Sequence, residues 1–169
     1  MDVTPVTMDW GRFYVTRLPV TGADVLEVGS RDLNGSFRSI IEPLGPASYL
    51  GIDMASGPGV DKVSNLFAMS GEFDIVVCTE VLEHIEEWRA AVTRLEWLTK
   101  DNGYIVVTTR AHGFQRHDFP SDYWRFTVGD ICAAFSRCHV VTAEHEPDDL
   151  GIYVILQKRA DTAPAPVPV

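Results

Sequence analysis

The side chains best suited to move a proton or grip a substrate are gathered between Arg110 and Phe126. That stretch, RAHGFQRHDFPSDYWRF, holds two of the five histidines, three arginines and five aromatic residues. Histidine is the side chain whose ordinary pKa lies nearest neutrality, so His112 and His117 are candidate general bases. His84, at the end of a neighbouring apolar run, is the third. Arg110, Arg116 and Arg125 suit a carboxylate or phosphate, which a guanidinium grips with two parallel hydrogen bonds. Asp118, Tyr123 and Trp124 complete the expected substrate contacts. Two alternatives stand beside this reading: Trp124 and Phe126 as core residues, and arginines paired with Asp118 and Asp122 on the surface.

A second constellation lies upstream, in Asp24-Val25-Leu26-Glu27-Val28-Gly29-Ser30-Arg31-Asp32-Leu33-Asn34-Gly35. Val25–Val28 is an apolar run with one acid and reads as a buried strand. It ends in a turn with two glycines and an asparagine, residue types that tolerate positive φ and let a ligand approach the backbone. Apolar positions at Phe37, Ile40, Ile41 and Leu44 then read as a helix. Strand, glycine turn and helix in that order open a Rossmann-like unit, whose ligands bind beyond the carboxyl ends of the strands. Arg31 and Asn34 stand where a dinucleotide fingerprint needs its second and third glycines, so a pyrophosphate fits poorly. Asp53 closes the next apolar run, Ser48–Asp53, at a spacing that suits a carboxylate accepting both hydroxyls of a ribose.

Those residues need a sheet to carry them. Further strands are expected at Val60–Val63, Phe73–Cys78, Tyr104–Thr109, Cys138–Ala143 and Ile152–Gln157. Phe73–Cys78 is nearly all apolar, as in a strand buried on both faces. Between Ile85 and Leu98 the apolar residues fall on one helical face, with Glu86 and Glu87 in the first turn, Lys100 in the last and Gly103 just beyond. Thr127 with Asp130 three residues on resembles a capping box for a helix carrying Ile131, Ala134 and Phe135. The fold expected is α/β, a Rossmann-like three-layer sandwich with a seven-stranded, mostly parallel sheet and an antiparallel last strand.

The chain of 169 residues is the length of one domain. With 24 acids against 14 bases the net charge is −10, which argues against nucleic acid and against anionic membranes as partners. No apolar run approaches 18 residues and no basic-then-apolar leader opens the chain, so a cytoplasmic location is expected. Cys78, Cys132 and Cys138 form no C-x-x-C pair and read as reduced thiols. No metal-ligand constellation is present, so a metal-independent protein is expected.

The acid and glycine bracketing the first strand end, Glu27 and Gly29, together with "FDIVVCTEVLEHI" at Phe73–Ile85, closely resemble motifs of class I S-adenosylmethionine (SAM) methyltransferases acting on small molecules. The resemblance covers roughly residues 24 to 158. It implies a cofactor held by Glu27, Val28, Gly29, Ser30, Arg31, Asn34, Asp53 and Met54, by Asn65 and Leu66 at the adenine, and by Thr79, Glu80 and Val81. It implies residues 1–22 as an N-terminal helical flap, 23–159 as the methyltransferase domain, and 160–169 as a disordered Ala/Pro tail. The 110–126 loop then overhangs the edge where the methyl group points, and His112, three residues past its strand, ranks first as base. The activity implied is methyl transfer from SAM to a small, anionic acceptor, with a hydroxyl favoured. N-methylation or another SAM-dependent reaction is the alternative among enzymes. A non-catalytic SAM-binding partner subunit is the alternative from another class. With almost no insertion beyond the core, the acceptor site must come from the 110–126 loop, the N-terminal segment, or the second subunit of a homodimer.

Overall fold

Alternation along the central strands divides the apolar residues between two faces, and two apolar faces need two layers of cover. Val25, Ile75, Val77 and Val106 join one cluster with Met8, Trp10, Phe37 and Ile41. Leu26, Val76, Cys78, Ile105 and Val107 join another with Val92, Leu95, Ile131 and Phe135. The computed structural model describes residues 3–116, 121–146 and 150–160. Its seven strands are β1 (Asp24–Val28), β2 (Ser48–Asp53), β3 (Lys62–Val63), β4 (Phe73–Thr79), β5 (Thr99–Arg110), β6 (Cys138–His145) and β7 (Gly151–Lys158). They lie in the order β3-β2-β1-β4-β5-β7-β6. The first five run parallel, and β7 is antiparallel to both β5 and β6. The expected Rossmann-like sheet is therefore the one observed.

Helices α1 (Pro5–Tyr14) and α2 (Arg38–Ile41) cover one face; α3 (Trp88–Leu98) and α4 (Val128–Ala134) cover the other. Thr4 caps α1, accepting from the Thr7 amide, with Pro5 at the first helical position, where its missing N–H costs nothing. At α4 the expected capping box is complete: Thr127 accepts from the Asp130 amide, and Asp130 accepts from the Thr127 amide. Two elements differ from expectation. Only Lys62 and Val63 of the third strand pair with β2. The α3 helix begins after Glu86 and Glu87 and ends at Leu98, and the chain passes directly into β5. The reason lies in Lys100, whose ammonium is drawn to Asp24 and Asp74, 3.0 and 2.9 Å away, at the amino ends of β1 and β4.

The sheet order reverses at β1, whose neighbours β2 and β4 carry the chain outward in opposite directions. In such sheets the crevice at the reversal, outside the carboxyl ends of the strands, is where ligands bind. The ends of β1, β2, β4 and β5 all lie on that edge.

Candidate functional site

At the β1–β2 end the backbone is shaped by its neighbours. Gly29 holds φ +75°, a left-handed conformation that suits glycine. The amides of Gly29 and Ser30 both donate to the Ile52 carbonyl, at 2.9 and 3.0 Å, which hangs the turn on the end of β2. Gly51 is required there too, since a Cβ would lie 2.4 Å from the Gly59 carbonyl oxygen. Asp53 ends β2 at 9% exposure; its Oδ1 accepts from the Ala55 amide at 2.9 Å. Among the described residues its Oδ2 is buried with no hydrogen-bond partner, as is Ser30 Oγ. An unmatched buried carboxylate oxygen is costly and calls for a donor. Met54, the next residue, is 77% exposed, and Phe67 is 45% exposed.

The other residues expected on this side are placed variously. Glu27 is buried and accepts from Ser36 Oγ at 2.9 Å and from the Tyr49 hydroxyl at 2.9 Å. Burial pushes its carboxyl up to about 7 against the pull of those bonds. Val28 is in the core. Arg31 folds over Gly57, whose Cβ would lie 2.9 Å from its Nε, and Asn34 is exposed. Asn65 accepts from the Phe67 amide at 2.9 Å, while Leu66 packs into the core.

At the β4–β5 end the polar groups answer one another. Thr79 and Glu80 are buried, and Val81 half-buried. Glu80 takes φ +54°, uncommon for a residue with a side chain. Its Oε2 lies 2.6 Å from Arg110 Nε in an ion pair, and its Oε1 accepts from Thr108 Oγ1 at 2.7 Å. Glu83 accepts from Thr109 Oγ1 at 2.8 Å. Burial raises the Glu80 and Glu83 carboxyls above the usual carboxylate range.

The 110–126 loop is closed at its base, where the Phe126 amide donates to the Arg110 carbonyl at 3.0 Å. Arg110 is 3% exposed and committed to Glu80, and its guanidinium also lies over the Phe114 ring. Arg125 grips Asp122 with both terminal nitrogens and donates to the carbonyls of Phe114 and Gln115, stitching the loop's two limbs together. These two arginines follow the surface-pair alternative in kind, although their partners are buried. Arg116 is exposed and donates to the Tyr123 carbonyl at 2.9 Å. Phe126 is core at 2% exposure, but Trp124 is 38% exposed and Tyr123 36%. Trp124 Nε1 donates to the carbonyls of Ile85 and Glu86, so its ring stands beside the turn after β4, and the Tyr123 amide donates to the Glu83 carbonyl at 2.8 Å. His84, on that turn, donates from Nδ1 to the Ser121 carbonyl at 2.9 Å, with Nε2 4.0 Å from Glu83 Oε1. His112 is exposed; Asp130 is held low chiefly by its hydrogen bonds from the Thr127 hydroxyl and amide, with His112 a lesser influence. His117 and Asp118 lie outside the described residues, as does 161–169.

A model of one family, the methyltransferase domain, matches residues 8–144. The chain belongs to that family. The ubiquinone biosynthesis O-methyltransferase of Thiobacillus denitrificans is 29% identical over 126 residues, covering 64% of this chain and 52% of that one. The Dechloromonas aromatica enzyme of the same name matches equally. The chain thus spans about half the length of these curated relatives. Among solved structures, an S-adenosylmethionine-dependent methyltransferase from Mesorhizobium loti superposes with a TM-score of 0.71 at 14% identity, over 89% of this chain and 97% of that one. The N-methyltransferase NodS of Bradyrhizobium japonicum, bound to S-adenosylhomocysteine, gives 0.67 at 13% identity, over 93% and 89%.

Set in this methyltransferase fold, the structure adds residues that the sequence did not single out. Glu83, Thr108 and Thr109 join the cluster at the β4–β5 edge. Glu83 had a signal: an acid between Leu82 and His84, three residues past another acid, in a stretch otherwise apolar. Thr108 and Thr109 had none, because strands are commonly rich in threonine.

Proposed function

We propose that this methyltransferase domain transfers a methyl group from S-adenosylmethionine to a hydroxyl of a small, flat molecule. The unmatched Asp53 Oδ2, buried beside the positive-φ turn at the sheet's reversal point, carries the cofactor part of this reading. Asp53 would hold the ribose diol, the Gly29–Ser30 backbone would lie along the cofactor, and Met54 and Asn65 would border the adenine. S-adenosylmethionine, when bound, supplies an activated methyl group. The chain's own residues then need chiefly to hold the acceptor in attack geometry, which is worth up to about 7–11 kcal/mol.

For the hydroxyl's proton, the geometry favours His84 over His112. A carbonyl only accepts, so the Nδ1 that faces Ser121 carries the proton. In the neutral ring Nε2 then holds the lone pair that a general base needs. Trp124 offers a half-exposed ring beside the turn that carries His84, suited to a flat acceptor. Arg110 and Arg125 are engaged within the fold, which weighs against an anionic acceptor gripped by either. The curated relatives, named as O-methyltransferases, support a hydroxyl.

Calorimetric titration with S-adenosylmethionine, followed by an assay of S-adenosylhomocysteine release over a panel of phenols, aliphatic alcohols and amines, tests this reading. Turnover on hydroxyl compounds is expected, with His84→Ala lowering kcat by about 10²–10⁴ and His112→Ala by less than tenfold. Turnover confined to amines would replace O- with N-methylation. Binding without turnover on any of them would leave a cofactor-binding subunit.

A further inference from the structure

We propose that Trp124 is a positioning residue for His84: its indole N–H straps residues 121–126 across the turn after β4, so that the Ser121 carbonyl fixes which ring nitrogen of His84 carries the hydrogen. This role rests on the reading of His84 as the base, and it gives the indole nitrogen a task separate from that of the ring. Trp124 stands partly in solvent, yet its Nε1 donates to two successive carbonyls, those of Ile85 and Glu86, at 3.0 Å each. The backbone takes the same path. The amides of Tyr123 and Trp124 both donate to the Glu83 carbonyl, at 2.8 and 3.2 Å. His84 closes the arrangement by donating from Nδ1 to the Ser121 carbonyl at 2.9 Å.

In a neutral imidazole one nitrogen carries the hydrogen and the other the lone pair, and the bond made by one decides the state of the other. Among the described residues, two acceptors compete for that hydrogen. The Ser121 carbonyl lies 2.9 Å from Nδ1, and Glu83 Oε1 lies 4.0 Å from Nε2. The first separation is a hydrogen bond and the second is too long for one. The hydrogen is therefore drawn to Nδ1, and the lone pair stays on Nε2, where a general base needs it. If the Ser121 carbonyl withdrew, Glu83 would be left to draw the hydrogen to Nε2. His84 would then meet an acceptor hydroxyl with an N–H in place of a lone pair.

A loop carbonyl can make that choice only if the loop is held. Ser121 follows residues 117–120, which lie outside the described residues, so the described contacts that steady it come from its C-terminal side. Two ties are found there, and they have different destinations. Arg125 grips Asp122 and reaches the carbonyls of Phe114 and Gln115, which joins this limb to the other limb of its own loop. Trp124 reaches the turn that carries His84, so its tie runs between the two segments whose separation matters. Tryptophan differs from phenylalanine at such a place in having a donor at the polar edge of its ring. A phenylalanine would offer the acceptor a similar face and leave the strap without its side-chain bonds.

Trp124→Phe is therefore the test, read by nitrogen NMR of the histidines in isotope-labelled, cofactor-free protein at a pH where the ring is neutral. Wild type should show the His84 hydrogen on Nδ1. Finding it on Nε2 rules the role out, and that measurement needs no variant to fold. In Trp124→Phe the Nε2–H form of His84 should become populated. The kcat on a hydroxyl acceptor should fall roughly ten- to a hundredfold, with the acceptor KM and the S-adenosylmethionine affinity changed by less than about threefold. Trp124→Leu, which also removes the ring, should raise KM in addition. An unshifted tautomer in folded Trp124→Phe overturns the proposal. So does a loss confined to KM, which would leave Trp124 as an acceptor contact alone. A shifted tautomer in Trp124→Phe, combined with full turnover by His84→Ala, sustains the strap and removes His84 as the base. Lost turnover in His84→Ala with an unshifted tautomer in Trp124→Phe keeps the base and sinks the strap.

Discussion

The carboxyl edge of the sheet carries two polar regions of different construction. Around β1 and β2, Asp53 takes the Ala55 amide and Asn65 the Phe67 amide, while the Gly29 and Ser30 amides reach the Ile52 carbonyl and Glu27 takes the Tyr49 hydroxyl from the neighbouring strand. Two buried oxygens there, Asp53 Oδ2 and Ser30 Oγ, are left without donors. Around β4 and β5, Glu80 and Glu83 are met by Thr108 and Thr109 across separations of 28 and 26 residues, and Arg110 closes the cluster. The first region keeps two buried oxygens that no described residue donates to. In the second, Glu80 Oε2 makes no hydrogen bond among the described residues but stands 2.6 Å from Arg110 Nε, an ion pair within the fold that preorganises the region and commits its arginine.

The hardest blow to that comparison would come at Arg110. Removing one partner of a buried ion pair strands the other, at a cost of about 3–5 kcal/mol. Arg110→Leu should therefore lower the stability measured by urea unfolding by that amount. Arg116→Leu, at an exposed position in the same loop, should change it by about 0.5 kcal/mol or less. Equal small effects would mean that Arg110 is not committed to the cluster and remains open to an acceptor.

A second measurement separates the regions by pH. Glu27, at the end of β1, is pushed by burial from its ordinary 4.5 up to about 7. In that window the folded protein holds a proton that the unfolded chain has released. The stability from protonated Glu27 is therefore fully present below about 4.5 and is lost as pH rises through 7. The change is on the order of 3 kcal/mol, at about 1.4 kcal/mol per unit. Glu27→Gln cannot titrate, so its stability relative to wild type should climb between those limits and level off above them. Glu80 and Glu83 titrate in both proteins and cancel in the difference. Parallel stability curves would show that Glu27 is ionised in the fold throughout.

The two regions also differ in what the sequence disclosed. The turn at Gly29 and the acid at Asp53 were legible because a strand, a turn and an acid at the next strand end are local features with a fixed spacing. The same holds for the Thr127–Asp130 cap and for the seven strands. The fates of Arg110 and Arg125 were not, because partner choice depends on which strand ends the fold brings together. Arg110 lies 30 positions from Glu80 in the chain, yet β4 and β5 are neighbours with Thr79 beside Thr108. His84 and His112 were equally unordered by type. Only their surroundings, the Ser121 carbonyl and Glu83 for one and solvent beside Asp130 for the other, distinguish them.

The finest test of the comparison lies at Asp53, where the fold's needs and a ligand's needs meet on one side chain. Oδ1 serves the fold through the Ala55 amide, and Oδ2 serves nothing among the described residues. Asp53→Ala removes both oxygens. It should weaken S-adenosylmethionine binding by about 1.5–3 kcal/mol, the range for hydrogen bonds to a charged group. The stability of the cofactor-free protein should fall by less, about 0.5–1.5 kcal/mol, because only one neutral donor loses its partner and an unmatched oxygen leaves with it. Asp53→Asn keeps an acceptor for Ala55 but puts a neutral amide toward the ribose. It should therefore retain stability while still losing affinity. Calorimetry and thermal unfolding on the same two variants measure both effects. If affinity were unchanged in a folded Asp53→Ala protein, Oδ2 would not be the ribose partner, and the first region would be as self-contained as the second.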